Sequence, residues 1–281
     1  MRQAFSRRAG LAALATALAT ALAAVLAAAA LPAHAQPAGS PASAPASAAI
    51  ARVGVFSLLG DAVDVTQPAD TSDTRIERKA RESLVVSGSG FDQAALRGAA
   101  AAFAAQRPQA QLFNFRATQV LSTTDQRALA DGARRAELPG WMVGTIGPNR
   151  LSHLLIITRA RGDSAFPVLA GHTIGRVGVE GVGFYLDNST PMVNLDTGLS
   201  GRGFLGPHAL VRLQLMDAVS GDILAQQDLR EYRTITGRRD EDLSNPWNSL
   251  APDEKVTVLR DMLQQGVQRV LTQMLEGVGK S

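Results

Sequence analysis

The sequence predicts an α/β or α+β domain: a mixed sheet with flanking helices and a long C-terminal amphipathic helix. Three observations carry this. In the first half, short β-branched apolar runs alternate with helical patterning. In the second half, two longer runs flank the turn sequence Val219-Ser220-Gly221-Asp222. The final stretch repeats apolar residues at steps of three and four.

The chain opens on a basic segment, Met1 to Gly10, followed by an apolar run from Leu11 to Leu31. Ala33-His34-Ala35 then supplies the small-x-small pattern that a signal peptidase accepts, so we expect a signal peptide over 1–35, cleaved after Ala35. The run is long enough to span a bilayer, which makes an uncleaved anchor the alternative. Twelve of its 21 residues are alanine, and Pro32 breaks the helix before the cleavage site, so no stable span is expected afterwards. Ser6-Arg7-Arg8 resembles a twin-arginine signal, but Gly10 stands where that signal carries a bulky apolar residue, which favours the Sec route. Residues 36–49 (QPAGSPASAPASAA) have no charge and no large apolar side chain, so nothing there offsets the entropy of ordering. They are expected to form a disordered tether, with a single domain over 50–281.

Within that domain, Ala51 to Leu59 is apolar and closed by Gly60-Asp61, the form of a buried first strand. Val63 and Val65 alternate with polar neighbours as a short second strand. Thr66 to Arg81 is polar, contains Pro68 and is expected to be a solvated loop; Ser83 to Ser87 returns as a strand, and Gly88 to Gly90 turns the chain. Phe91 to Arg107 is a helix with Asp92 near its positive end and Pro108 as its stop. Ala110 to Phe115 alternates as a strand. Ser122 or Thr123 caps a helix over Asp125 to Glu137, stopped by Pro139-Gly140. His153 to Arg161 is a strong strand, Thr173 to Leu186 is glycine-rich and alternating, and Ala209 to Ala218 with Ile223 to Tyr232 forms a hairpin. Pro246-Trp247 begins a helical region. From Asp253 to Leu275, the residues Val256, Leu259, Leu263, Val267, Val270 and Met274 make one apolar stripe, expected on the chain's own core, with a partner helix as the alternative.

Composition excludes several functions. Three of the 28 basic side chains (Arg2, Arg7 and Arg8) lie in the leader, and removing them leaves 25 basic against 25 acidic. A charge-balanced mature chain is not built as a nucleic-acid or anionic-membrane binder. The absence of cysteine excludes a disulfide framework, a thiolate nucleophile, a thiolate zinc site and an N-terminal lipidated cysteine.

No motif assigns catalytic, cofactor-binding or metal residues. Gly201-Arg202-Gly203-Phe204-Leu205-Gly206 has the letters of a dinucleotide fingerprint, but Pro207 and a strand-like segment follow where a helix must start, so a turning loop is expected. Gly162-Asp163-Ser164 resembles the serine block of a lipase-esterase class, yet stands mid-chain; a polar turn is expected. The mature histidines His153, His172 and His208 have no partners at metal-ligand spacing. A hydrolase needs one of them beside a serine and an acid. Asp240, Glu241 and Asp242 beside Arg238-Arg239, and the group Arg75, Arg78, Lys79 and Arg81, are expected to be solvated, with an acidic partner or anionic glycan as the alternative for the second group. Trp141 and Trp247 are expected to pack in the core or at a domain edge, with a glycan or peptide platform as the alternative. Ile174 to Leu186, turning at Asn188 to Pro191 into Met192 to Leu195, has the period of a sheet half-covered by helices, with a hairpin of a ring-shaped membrane barrel as the alternative.

The opening strand VGVFSLLGD (53–61), the helix FDQAALRGAAAAFAAQ (91–106) and the strand QLFNF (111–115) resemble the periplasmic α/β modules of two bacterial groups: the N-terminal domain of the Tol-system propeller protein, and the curli-secretion channel lipoprotein with its relatives. LVRLQLMDAVSGDIL (210–224) looks like the channel family's strand-turn-strand block, and the final helix also fits. This chain lacks the channel family's lipidated cysteine and the Tol protein's propeller. The resemblance implies an accessory, binding or assembly role and no catalytic residue. We therefore expect a soluble, non-catalytic envelope protein, periplasmic or secreted, that binds an envelope protein or cell-wall component. The alternatives are a periplasmic serine- or carboxylate-based hydrolase and an oligomeric outer-membrane pore component.

Overall fold

The computed structural model describes residues 50–68, 80–116, 126, 129, 138–168, 172–174, 177–193, 198, 200–236 and 245–278. The leader, the tether, the helix over Asp125 to Glu137 apart from its helical residues Gln126 and Leu129, and the Asp240 cluster lie outside that set.

The fold is α/β: an eight-stranded mixed sheet with three helices among the described residues. β1 (Arg52–Ser57), β2 (Ala62–Gln67) and β3 (Ala80–Val85) precede α1 (Phe91–Gln106) and β4 (Gln111–Arg116). α2 (Gly140–Asn149) leads into β5 (His153–Arg159). Four short strands follow: β6 (Arg161–Asp163), β7 (Phe166–Pro167), β8 (Thr173–Ile174) and β9 (Gly178–Glu180). β10 (Val182–Val193), β11 (Ser200–Asp217) and β12 (Ile223–Tyr232) complete the sheet; a 3-10 turn (Pro246–Ser249) and α3 (Pro252–Val278) end the chain.

β11 organises the sheet. Its first half pairs antiparallel with β10, from Ser200 to Ala209, and its second half with β5, from Val211 to Asp217. β12 runs along the opposite edge of β11 from His208 to Met216, across the junction of the two halves. β10 and β5 therefore share one edge of a single strand, and the sheet divides there into two leaves. β2 and then β3 extend from β10; β1 and then β4 extend from β5, with β1 parallel to both β4 and β5. At the division, Leu210 N–H donates to the Gly181 carbonyl, Ala160 N–H to the Leu210 carbonyl and Gly181 N–H to the Ala160 carbonyl.

One sheet face packs on α1 and α3. Val53, Val55, Leu155, Ile157, Phe184, Leu205, Val211, Leu213 and Leu215 meet Phe91, Ala95, Ala99 and Phe103 of α1 and Leu259, Leu263, Val267 and Leu271 of α3. The α3 stripe thus covers the chain's own core, with Val256 at its margin. The alanines of α1 let the two helices close up: a Cβ added at Gly98 would stand 2.4 Å from the Gln264 carbonyl oxygen. The opposite face is covered by α2 on one leaf, through Met142 and Ile146 on Phe56, Leu154 and Ile156. On the other leaf it is covered by the β6–β9 and β7–β8 ribbons, where Phe166 packs on Tyr185 and Phe204. Trp141 and Trp247 pack against the two main cores, as expected.

Several expectations are corrected. The sequence did not predict α2; Pro139 is its N-cap, and its uncharged GWMVGTIGPN sequence gives no amphipathic signal. Residues 201–206 are the interior of β11, since Phe204 and Leu205 point into opposite cores and the glycines allow close approach, with the Phe166 ring over Gly206. Arg161-Gly162-Asp163 is strand β6, paired with β9. Asn188 to Pro191 does not reverse the chain: it is an irregularity inside β10, where Asp187 accepts from the Ser189 and Thr190 amides at 2.7 and 2.8 Å. The third strand begins at Ala80, earlier than expected, so Arg81 belongs to β3. No helix of the described residues is long and apolar enough to cross a membrane.

Candidate functional site

The strongest electrostatic feature lies under the β6–β9 ribbon. In β2, Val63 faces the helices and Asp64 the opposite side. Asp64 is opposite Gly183 of β10; Gly183 is opposite His208 of β11; His208 is opposite Tyr232 of β12. Gly183 has no side chain, and a Cβ there would stand 1.9 Å from the Asp64 carbonyl oxygen. Thus no β10 side chain separates Asp64 from His208 in this row.

Two guanidiniums close on Asp64: Arg81 Nη2 at 2.6 Å and Arg159 Nη2 at 3.0 Å from the same Oδ2. Arg81 also reaches Glu180 at 3.2 Å, and Arg161 approaches Glu180 at 3.9 Å. Arg159 passes over Gly181, where a Cβ would meet its Nε at 2.1 Å; Gly181 has φ +64°, so glycine serves both backbone and space there. Asp64, Glu180, Arg159 and His208 are all buried. Burial pulls Arg159 down from its ordinary pKa, against the opposing pull of Asp64 and Glu180. Burial also lowers Arg81, but the hydrogen bond and charge of Asp64, with Glu180, outweigh it and hold the group above its ordinary value. Arg81, expected in solvent, is thus an inward partner of two buried carboxylates.

His208 is fully buried, and neither ring nitrogen has a hydrogen-bond partner among the described residues. Burial depresses its pKa to about 4; Asp64 and the nearby Gly206 carbonyl, short of hydrogen-bond geometry, oppose the shift, and Arg159 and Arg81 add to it.

His153 sits elsewhere, at the start of β5. Its Nδ1 lies 2.9 Å from Ser152 Oγ, and Asp217 is its partner across β11. Ser152 Oγ donates to the Arg52 carbonyl at 3.0 Å and accepts from the Arg52 amide at 3.1 Å. The Ser152 hydroxyl has one proton for the Arg52 carbonyl or for Nδ1, so a general-base arrangement requires that proton to turn from the carbonyl to the ring. The Asp217 carboxylate accepts from the Val219 and Ser220 amides at 2.7 Å each, which fixes the β11–β12 turn. His172 is exposed. Ser164 is buried, its hydroxyl accepting from Val177 N–H at 3.1 Å. No group of three or more metal-ligating side chains occurs among the described residues.

No protein-family model and no curated protein matches this chain. Among solved structures, protein XCC0632 from Xanthomonas campestris, of family DUF330, is similar over 84% of this chain and 90% of that one, with 8% sequence identity and a TM-score of 0.31. At that score the likeness carries no argument about function, and it does not show the Tol-system or curli-channel resemblance drawn from the sequence.

Proposed function

We propose that the chain is an exported, non-catalytic envelope protein that binds a protein partner, an accessory role of the kind carried by the Tol-system and curli-channel modules. One observation carries the reading. Among the described residues β3 ends one leaf of the sheet, Arg81 to Val85 are all exposed, and Val85 is 78% exposed. An exposed sheet edge offers unpaired backbone groups to which an extended segment of another protein can add as a strand. The test is site-specific photocrosslinking of the exported chain in its own cell envelope. A crosslinker at Val85 is expected to capture a discrete partner that one at Gln265, exposed on α3, does not. Matching products from both positions, or none from Val85, would count against the reading.

The hydrolase alternative has one observation in its favour, the 2.9 Å contact of His153 with Ser152 opposite Asp217. A fluorophosphonate probe that labels the wild type and fails on Ser152→Ala would establish it.

A further inference from the structure

We propose that the cluster of buried His208, Asp64, Arg159 and Glu180 with the partly exposed Arg81 is an acid-responsive latch: a proton taken up by the His208 ring releases the β6–β9 ribbon from the sheet face beneath it. The ribbon is held by few apolar contacts, chiefly Ala160 and Val179 on Leu210 and Tyr232. Its polar attachments among the described residues include the Glu180–Arg81 ion pair, the hydrogen bond from Tyr232 Oη to the Asp163 carbonyl at 2.9 Å and, at its base, the backbone bonds of Leu210 with Ala160 and Gly181. The same charge network therefore both surrounds the ring and fastens the ribbon.

Among the described residues, the charged and titratable groups about the ring are Asp64 from β2, Arg81 from β3, Arg159 from β5, Glu180 from β9 with Arg161 of β6 behind it, and Tyr185 and Tyr232 from the strands flanking β11. With His208 neutral, the two carboxylates Asp64 and Glu180 already face Arg81 and Arg159, with the more exposed Arg161 beside Glu180. An imidazolium adds a cation with no further anion beside the ring among the described residues, and Asp64 Oδ2 already meets two guanidiniums. A buried unpaired charge is costly, and letting water reach the ring relieves it.

The size of the response follows from linkage. A ring that titrates at about 4 when enclosed and at 6.5 in water favours the open form about thirtyfold more at pH 5 than at pH 7.5. The chain contains no cysteine, so Ser164→Cys places a lone thiol at a site 2% exposed beside the ribbon, and Ser220→Cys places one at an exposed turn. Dipyridyl disulfide labelling of the first, divided by that of the second, removes the thiol's own pH dependence. This ratio is expected to rise at least tenfold from pH 7.5 to 5 while far-ultraviolet circular dichroism stays constant, and to stay flat when His208→Gln is added. Hydrogen exchange of the β6–β9 amides, in the unlabelled chain with and without His208→Gln, gives the same comparison if the cysteine variant folds poorly. An equal rise with His208→Gln, no rise in the native chain, or loss of helix signal at the same pH would overturn the latch.

Discussion

Removing Asp64 tests how the two leaves are joined. Asp64→Leu deletes the carboxylate on which Arg81 and Arg159 converge, leaving Arg159, 7% exposed, with a carbonyl contact to Ala62 at 3.4 Å as its remaining direct partner. Breaking a buried ion pair from one side costs about 3–5 kcal/mol, because the surviving charge stays desolvated. For a domain of this size that corresponds to a melting temperature about 6–20 °C lower. Arg159→Met is expected to cost less, because Asp64 keeps Arg81 at 2.6 Å. The double variant Asp64→Leu/Arg159→Met removes the stranded charge and is expected to recover about 1–3 kcal/mol relative to Asp64→Leu alone. Urea unfolding of the four proteins at pH 7.5, with a shared m-value, measures the coupling. Additive losses within about 0.5 kcal/mol would refute the claim that Arg159 is held in the seam by Asp64.

Two further outcomes follow from packing and turn chemistry. Gly98→Ala sets a methyl against the Gln264 backbone, which cannot swing aside, so it should lower stability by about 1–3 kcal/mol in urea despite alanine's better helix propensity; an unchanged midpoint would show that α1 and α3 separate freely. Asp217 is held below its usual carboxylate range chiefly by the Ser220 amide, with the Val219 amide adding to it, so its stabilisation is present above the unfolded value and lost as pH falls through the folded one. Asp217→Ala should therefore cost about 0.5–1.5 kcal/mol at pH 7 and progressively less below pH 4, as followed by urea midpoints across pH.

The sequence made local features legible. The α3 stripe, the alanine-faced α1 and the Asp217 to Asp222 turn were visible because their periods and turn residues lie within a few positions of one another. What joins distant segments was not. The extent of β11 was hidden because Gly201 to Gly206 looks like a loop when its partners are unknown; Phe204 and Leu205 become strand residues once β10 lies beside them. The charge cluster was equally hidden. Asp64, Arg81, Arg159, Glu180 and His208 come from five strands, and of these only Arg81, as a solvated side chain, and His208, as a histidine without a partner at ligand spacing, drew notice in the sequence. The available signal was a lone aspartate between two buried valines, in a strand otherwise apolar at its centre. α2 was missed because glycine and proline obscure its helical period.

Because β5 and β10 both lean on a strand that arrives after them, the order of synthesis matters. A chain emerging N-terminus first displays β1, β4 and β5 as one bare-edged fragment and β2, β3 and β10 as another, and neither can be closed until residues 200–217 are delivered. Such unfinished fragments are the ones that pair with the wrong neighbour, so a chaperone that shields nascent strands gains most before β11 leaves the ribosome or translocase.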